Sequence, residues 1–165
     1  MNQSVAVRLP PFQGVLDANR DAVWRFLVAS VGRHDAADCF QETMISALRA
    51  YPALASDSNL RGWLFTIAHH KVIDLARARG RRPLTTDAPP EQAVDDDAAH
   101  AVIEADGDLW MAVDRLPPKQ RMAVVARFVN DLPYADIAAM AGGTEAAARQ
   151  NVRAGLATLR KVVKR

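Results

Sequence analysis

The chain has 165 residues, half of them apolar, with a formal net charge of +2 and a single cysteine. That length suits one ordinary domain or two very small ones, and one cysteine excludes a disulfide-built secreted scaffold. No leader-like segment and no apolar run of membrane-spanning length is present, so a soluble cytoplasmic protein with no membrane insertion is expected.

Met1 to Pro11 reads as a tail closed by Pro10-Pro11. Phe12 to Val31 reads as a first helix, with Val15, Leu16, Ala22, Val23, Phe26 and Leu27 facing one way. Gly32-Arg33-His34-Asp35 breaks it, and Asp35 is placed to cap the next helix. There Phe40, Met44, Ala47, Leu48 and Tyr51 recur at three- and four-residue spacing, which makes one apolar face. Asp38, Gln41 and Glu42 are expected on the side opposite Met44 and Leu48. Pro52 and the breaker-rich Ser56 to Asn59 follow. Leu64, Ile67, Ala68, Val72 and Leu75 then form the face of a third helix, which ends in Arg77, Arg79, Arg81 and Arg82. Three helices of this length can close a small core.

Trp63 and Phe65 open that third helix. Rings beside cations suit single-stranded nucleic acid, where bases stack and arginines follow phosphates. The same residues also suit a plain core whose helix ends in solvated arginines favoured by the macrodipole. The pattern weighs the two readings about evenly. Two residues apart on a helix, Trp63 and Phe65 cannot face the same way, so one is expected in the core and the other nearer a ligand.

Pro83 to Ala105 differs in kind. It carries Pro83, Pro89 and Pro90 with Asp87, Glu91, Asp95, Asp96, Asp97 and Glu104, and almost no apolar periodicity before Val102. It reads as an acidic, flexible linker. The expected fold is therefore all-α, with two small helical domains, one of three to four helices and one helix-turn-helix. The boundaries fall at 12–82, 83–105 and 106–162. Such a linker predicts that the two units do not dock firmly.

The second unit opens with Leu109, Trp110, Val113 and Leu116 on one face, closed by Pro117-Pro118. Met122, Val125, Ala126 and Val129 line the next helix, which ends at Asn130-Asp131. Pro133 suits the first turn of a short helix reaching Ala141. Gly142-Gly143 supplies a left-handed turn, and Thr144 suits the N-cap of the last helix. Ala148, Val152, Leu156 and Leu159 form that helix's inner face. Helix, glycine turn and helix make a helix-turn-helix candidate. Ala138, Ala139, Ala147 and Ala148 are expected to let the two helices approach. Glu145, Ala146, Arg149, Gln150 and Arg153 are left to face a DNA groove. An ordinary helical hairpin is the competing reading.

Nothing in the chain points to enzyme chemistry. His34, His69, His70 and His100 lack ligand spacing, and neighbouring His69 and His70 point to different sides of a helix. Cys39 has no adjacent basic partner and reads as packing. No phosphate-cradling glycine loop or nucleophile elbow is present. No catalytic residue, metal or cofactor is expected.

Several blocks resemble a known family. Asp38-Cys39-Phe40-Gln41-Glu42-Thr43, Arg61-Gly62-Trp63-Leu64-Phe65-Thr66-Ile67-Ala68 and Ile73-Asp74-Leu75 with trailing arginines are similar to region 2 of the extracytoplasmic-function group of bacterial RNA polymerase sigma factors. Leu116-Pro117-Pro118-Lys119-Gln120-Arg121, Tyr134-Ala135-Asp136-Ile137-Ala138 and the closing Leu159-Arg160 are similar to region 4. The resemblance covers nearly everything but the tail and linker.

The resemblance implies a transcription factor of DNA-binding type that directs core polymerase to promoters and helps to open them. Its partners would be the β and β′ subunits of core polymerase, promoter DNA and an anti-sigma factor. Asp38, Gln41 and Glu42 match the polymerase-binding helix. Arg61, Trp63 and Phe65 fall in the promoter-opening segment. His69, His70 and Lys71 lie on the minus-10 helix, with Arg77 and Arg79 as phosphate contacts. Thr144, Glu145, Arg149, Gln150 and Arg153 fall on the minus-35 helix. The chain departs from the family at His69-His70, at Pro133, and over Ala154 to Thr158, where arginines common in the family are missing. Few residues follow the last helix, so no added sensory domain is expected. The alternatives are a helix-turn-helix regulator that works without polymerase and a helical protein-interaction module. The first lacks a use for the aromatic and basic stretch from Trp63 to Arg82.

Overall fold

The computed structural model describes residues 8–55, 58–81 and 107–163. Their regular structure is helical: α1 (Phe12–Val31), α2 (Arg33–Ala50), a 3₁₀ turn (Tyr51–Ala53), α3 (Leu60–Arg81), α4 (Gly107–Asp114), α5 (Pro118–Phe128), α6 (Tyr134–Ala141) and α7 (Glu145–Val163). The fold is all-α, with two helical clusters. The linker expected over 83–105 lies outside the described residues.

α1, α2 and α3 form the first cluster. The break between α1 and α2 is Gly32 alone, at φ 80°. Its N–H donates to Val28 O and its carbonyl accepts from Ala36 N–H, so the chain turns without a longer loop. α2 therefore begins at Arg33, and Asp35 is not its cap. Asp35 sits in the first turn and pairs with Arg79 near the end of α3. Val23, Phe26 and Leu27 meet Ala36, Cys39 and Ala47 of α2 and Leu64, Phe65 and Ala68 of α3 in a sealed core. Phe26 and Phe65 meet edge to face at 5.5 Å, an arrangement that adds to the burial of both rings. Thr43 is fully buried, and it donates its hydroxyl proton to Cys39 O at 2.6 Å. Leu48 departs from the expected apolar face and is 57% exposed.

The second cluster buries Ala112 and Val113 of α4, five residues of α5 from Met122 to Ala126, and Ile137, Ala138 and Met140 of α6. Ala148, Val152 and Leu159 of α7 close it. Of the glycine pair, Gly142 is the one that adopts the left-handed conformation (φ 64°, ψ 35°), and Gly143 N–H reaches back to Ala138 O at 2.9 Å. Thr144 Oγ1 accepts the Ala147 N–H at 3.1 Å and caps α7. Only Ala138 and Ala148 lie in the helix junction, while Ala139 and Ala147 are exposed. α7 crosses α5 at Gly155, where a Cβ would stand 2.6 Å from Val124 Cγ2. The position that reads as a missing arginine is thus a point of close helix approach.

The two clusters are docked, contrary to expectation. α1 and α3 lie against α5 and α6. Asn130 Nδ2 donates to Ala22 O at 2.6 Å, Arg61 Nη2 donates to Asn130 O at 2.7 Å, and Asn59 Nδ2 donates to Asp136 Oδ1 at 2.6 Å. Asn130 and Asp136 are both buried. The expectation rested on linker composition, whereas the seam is made by polar side chains at helix ends. Gly62 gives it room: a Cβ there would stand 2.9 Å from Asp136 Oδ1 and 3.0 Å from Asn59 Nδ2.

Candidate nucleic-acid interface

The start of α3 is set by Asn59. Its Oδ1 accepts the Gly62 N–H at 3.0 Å and its carbonyl accepts the Trp63 N–H at 2.9 Å, which is an N-cap. The cap puts Arg61 on the outside of the first turn. The Arg61 guanidinium lies 5.8 Å from the Phe65 ring while it holds Asn130 O. Phe65 itself has no exposed surface. A ring sealed against Phe26 cannot stack on a base, so Phe65 leaves the expected DNA-contacting set. Trp63 is only half-buried and packs 6.1 Å from Tyr51. Of the two aromatics, Trp63 is the one that reaches the surface.

Further along α3, His70 is exposed and His69 is half-buried. His69 Nδ1 is enclosed with no hydrogen-bond partner. Burial, with the neighbouring His70 adding to it, pushes the imidazole down to about 4. His69 is therefore a neutral core-side histidine at physiological pH, which weakens its assignment as a reading residue. Lys71 is half-buried and faces a groove of about 320 Å³ with Asp35, Asp38, Glu42 and Asp74. Arg79 is committed to Asp35. Arg77 is exposed. Of the expected minus-10 set, Arg61, His70 and Arg77 are exposed and Trp63 is partly so.

The His69 environment has a measurable consequence. The unfolded chain takes up a proton near pH 6.5, whereas the folded chain resists it until about pH 4. His69 thus supports the fold above pH 6.5, and that support is lost as the pH falls through this window. Each pH unit inside it removes up to about 1.4 kcal/mol. Denaturant titrations at pH 7, 5.5 and 4.5 are expected to show a stability loss that His69→Leu flattens. An equal loss in that variant would show that other groups carry the acid sensitivity.

On α2, Asp38, Gln41 and Glu42 are exposed as expected. They share the surface with Ile45 and Leu48, which are 41% and 57% exposed. From Gln41, these stand one turn and two turns further along the same side. Leu48 reads in the sequence as part of the apolar face opposite these polar residues, and the structure instead puts it beside them. Cys39 beneath them has its thiol pushed up by burial and by Glu42, Asp35 and Asp38, so it stays protonated and inert.

On α7, Thr144, Glu145, Arg149, Gln150 and Arg153 are all exposed. The Thr144 oxygen is engaged as the cap, and Arg149 Nη2 pairs with Glu145 Oε2 at 3.0 Å. A recess of about 510 Å³ beside them is lined by Tyr134, Arg149, Arg153 and Arg160. Tyr134 belongs to the site and escaped the sequence reading, where it served only as a family landmark. Adjoining this recess at Leu156 and Arg160, Trp110, Val113, Phe128 and Leu159 line an apolar groove of about 350 Å³.

A helix-turn-helix whose last helix exposes polar and cationic side chains over a sealed apolar face, beside a three-helix cluster, agrees with comparisons to known proteins. Residues 15–82 match the family model described as Sigma-70 region 2, and residues 106–159 match that of Sigma-70, region 4. The chain is 35% identical over 133 residues to the ECF RNA polymerase sigma factor SigC of Mycobacterium tuberculosis, covering 79% of this chain and 71% of the relative.

The chain belongs to the extracytoplasmic-function group of sigma-70 factors.

The ECF RNA polymerase sigma factor SigE of Mycolicibacterium smegmatis is 30% identical over 164 residues, with 92% of this chain and 61% of that protein covered. The fold also matches the solved structure of the sigma factor RpoE in complex with the anti-sigma factor NepR from Bartonella quintana. There the TM-score is 0.73 at 24% identity, over 93% of this chain and 96% of that one. A second solved structure, CnrH in complex with the cytosolic domain of CnrY, gives a TM-score of 0.71 at 20% identity, over 93% and 87% of the two chains. As a sigma factor the protein directs RNA polymerase in transcription and is not an enzyme, so its work is done by binding. Among the described residues, no cluster of His, Cys, Asp and Glu could hold a metal ion, and no helix is long and apolar enough to cross a membrane.

Proposed function

We propose that this sigma factor divides its work between its two units. The first, 12–82, holds core polymerase and recognises and opens the minus-10 element. The second, 106–162, reads the minus-35 element, and 83–105 links them. The observation that carries this reading is the two-sided character of α7. Glu145, Arg149, Gln150 and Arg153 are exposed, while Ala148, Val152 and Leu159 seal the opposite side against α5 and α6. Arginine and glutamine on such a face pair with guanine and adenine edges in a major groove. In the first unit, Arg61, Trp63, His70 and Arg77 supply an aromatic edge and cations for unpaired bases and their phosphates.

The α2 surface is the proposed grip on polymerase. Asp38 and Glu42 supply charge for basic groups on the partner, and Ile45 and Leu48 supply apolar area that solvent-facing helices usually lack. One solved protein of the same fold was captured with an anti-sigma factor and another with the cytosolic domain of CnrY, and an anti-sigma factor is proposed as a partner here as well. The site of action is the cytoplasm, where polymerase is. Converting both Gln41 and Glu42 to alanine is expected to abolish pull-down of core polymerase while the thermal unfolding curve stays unchanged, since both side chains are exposed. Normal pull-down by that double variant would remove the surface from the assignment.

A further inference from the structure

Tyr134 stands in the first turn of α6, and two arginines from different helices lean on its ring. The Arg127 guanidinium carbon of α5 lies 5.3 Å from the ring centroid, and that of Arg149 of α7 lies 4.8 Å from it. Both distances are within reach of a cation–π attraction. The two arginines differ in their other contacts. Arg127 Nη1 donates to Leu132 O at 3.1 Å and to Asp131 Oδ1 at 3.2 Å. It pins the turn before α6, where Asp131 takes a left-handed conformation at φ 49°. Arg149 makes its ion pair with Glu145 one turn back on the same helix and lines the recess beside Arg153 and Arg160. Its side chain remains more than half exposed. Arg149 is therefore held between a ring and a carboxylate while its side chain stays accessible to a ligand.

We infer that Tyr134 is a positioning residue for Arg149 and thereby sets how sharply the protein discriminates at one base pair of the minus-35 element. The inference rests on the reading of α7 as the minus-35 helix. A long arginine that samples many rotamers binds phosphate or any acceptor in reach. One that is stacked and ion-paired has fewer orientations to lose when it pairs bidentately with a guanine edge, so the wrong base costs more. The ring carries this effect through its face, and the hydroxyl is not needed for it. Sequence selectivity would fall without Tyr134, while the charge offered to the DNA backbone stays the same.

The test uses the full chain bound to core polymerase. The probe is the duplex that the wild-type complex selects from a pool randomised at the upstream element, together with its single-base-pair variants. Arg149→Ala identifies the base pair that Arg149 reads. At that pair, Tyr134→Leu is expected to lower the ratio of affinities for selected and substituted duplex roughly five- to tenfold, with the salt dependence of binding unchanged. Tyr134→Phe is expected to retain the wild-type ratio. Tyr134→Met gives the same readout if the leucine variant does not fold. Full discrimination in a folded Tyr134→Leu or Tyr134→Met variant would overturn the inference, and so would equal loss in Tyr134→Phe. If the wild-type complex selects no upstream sequence, the minus-35 reading itself fails and the inference falls with it. A selected sequence with unchanged discrimination at Tyr134 removes the inference alone.

Discussion

Gly62→Ala is expected to part the two units. A Cβ at this position would stand 2.9 Å from Asp136 Oδ1 and 3.0 Å from Asn59 Nδ2, closer than such atoms pack without movement. The side chain it meets has little room to yield. Asp136 is buried, is held by the Asn59 amide, and belongs to a helix packed on its other side. Keeping the units docked would break the Asn59–Asp136 bond and leave a buried carboxylate unpaired. A hydrogen bond to a charged group contributes about 1.5–3 kcal/mol, and leaving its partner buried costs more. Undocking instead lets water solvate both groups. The seam has little reserve, because Asn130 Oδ1 is already enclosed without a partner. The docked-to-open ratio is expected to fall by roughly ten- to a hundredfold.

Alanine is also the better helix former, so helix propensity does not itself count against the first unit. Small-angle scattering of the free protein should show a larger radius of gyration, and amides around Asn130 to Asp136 should exchange faster. Gly14→Ala is the control, since a Cβ there meets nothing within 4 Å. A scattering curve for Gly62→Ala that overlays the wild type would refute the expectation. Opening would also release the Arg61 guanidinium from Asn130 O, which bears on the segment proposed to open DNA.

Phe65→Ala is expected to cost about 3–5 kcal/mol, the range for deleting a sealed phenylalanine. Its ring is fully buried and meets Phe26 at 5.5 Å, so removal leaves a cavity and strands the partner ring. For a small helical unit this approaches its whole stability. Trp63→Ala, at a half-buried position, should cost roughly 1 kcal/mol or somewhat more. The two variants should therefore part company. Denaturant melts should show Phe65→Ala unfolded or nearly so, whatever its promoter. Trp63→Ala should stay folded, and its holoenzyme should give weaker permanganate reactivity on duplex promoters than the wild type. Equal stability for the two would mean that the core assignment of Phe65 is wrong.

Much of the second unit was legible from local chemistry. Gly142 takes the left-handed turn that a side chain would resist, and Thr144 caps through its own hydroxyl. Glycine and hydroxyl residues act within a few positions of themselves, so their effect is written in adjacent residues. The exposure of Glu145, Arg149, Gln150 and Arg153 follows from the same locality, since a 3.6-residue period leaves little choice once Ala148 and Val152 are buried. Asp35 shows the limit. It has the right chemistry for a cap, but Gly32 starts the helix earlier and Arg79, 44 residues away, takes the carboxylate.

The sequence by itself determined the all-α class, the helix-turn-helix and which stretches carry cations, because these depend on periodicity and turn chemistry. Tertiary structure decided what each of those residues faces. Trp63 and Phe65 are equivalent by pattern, and only the position of Phe26 on α1 makes one of them core. His69 and His70 are separated in the same way, by what lies beside the helix. The seam joins Asn59 to Asp136 across 77 residues and Arg61 to Asn130 across 69. Within its own helix Asn59 is the cap of α3, and Asp136 is an acid in the first turn of α6. Their second role arises only when two helix ends meet, and no local spacing encodes such a meeting. Burial of the pair, and with it the need for glycine at position 62, therefore belongs to the folded chain alone.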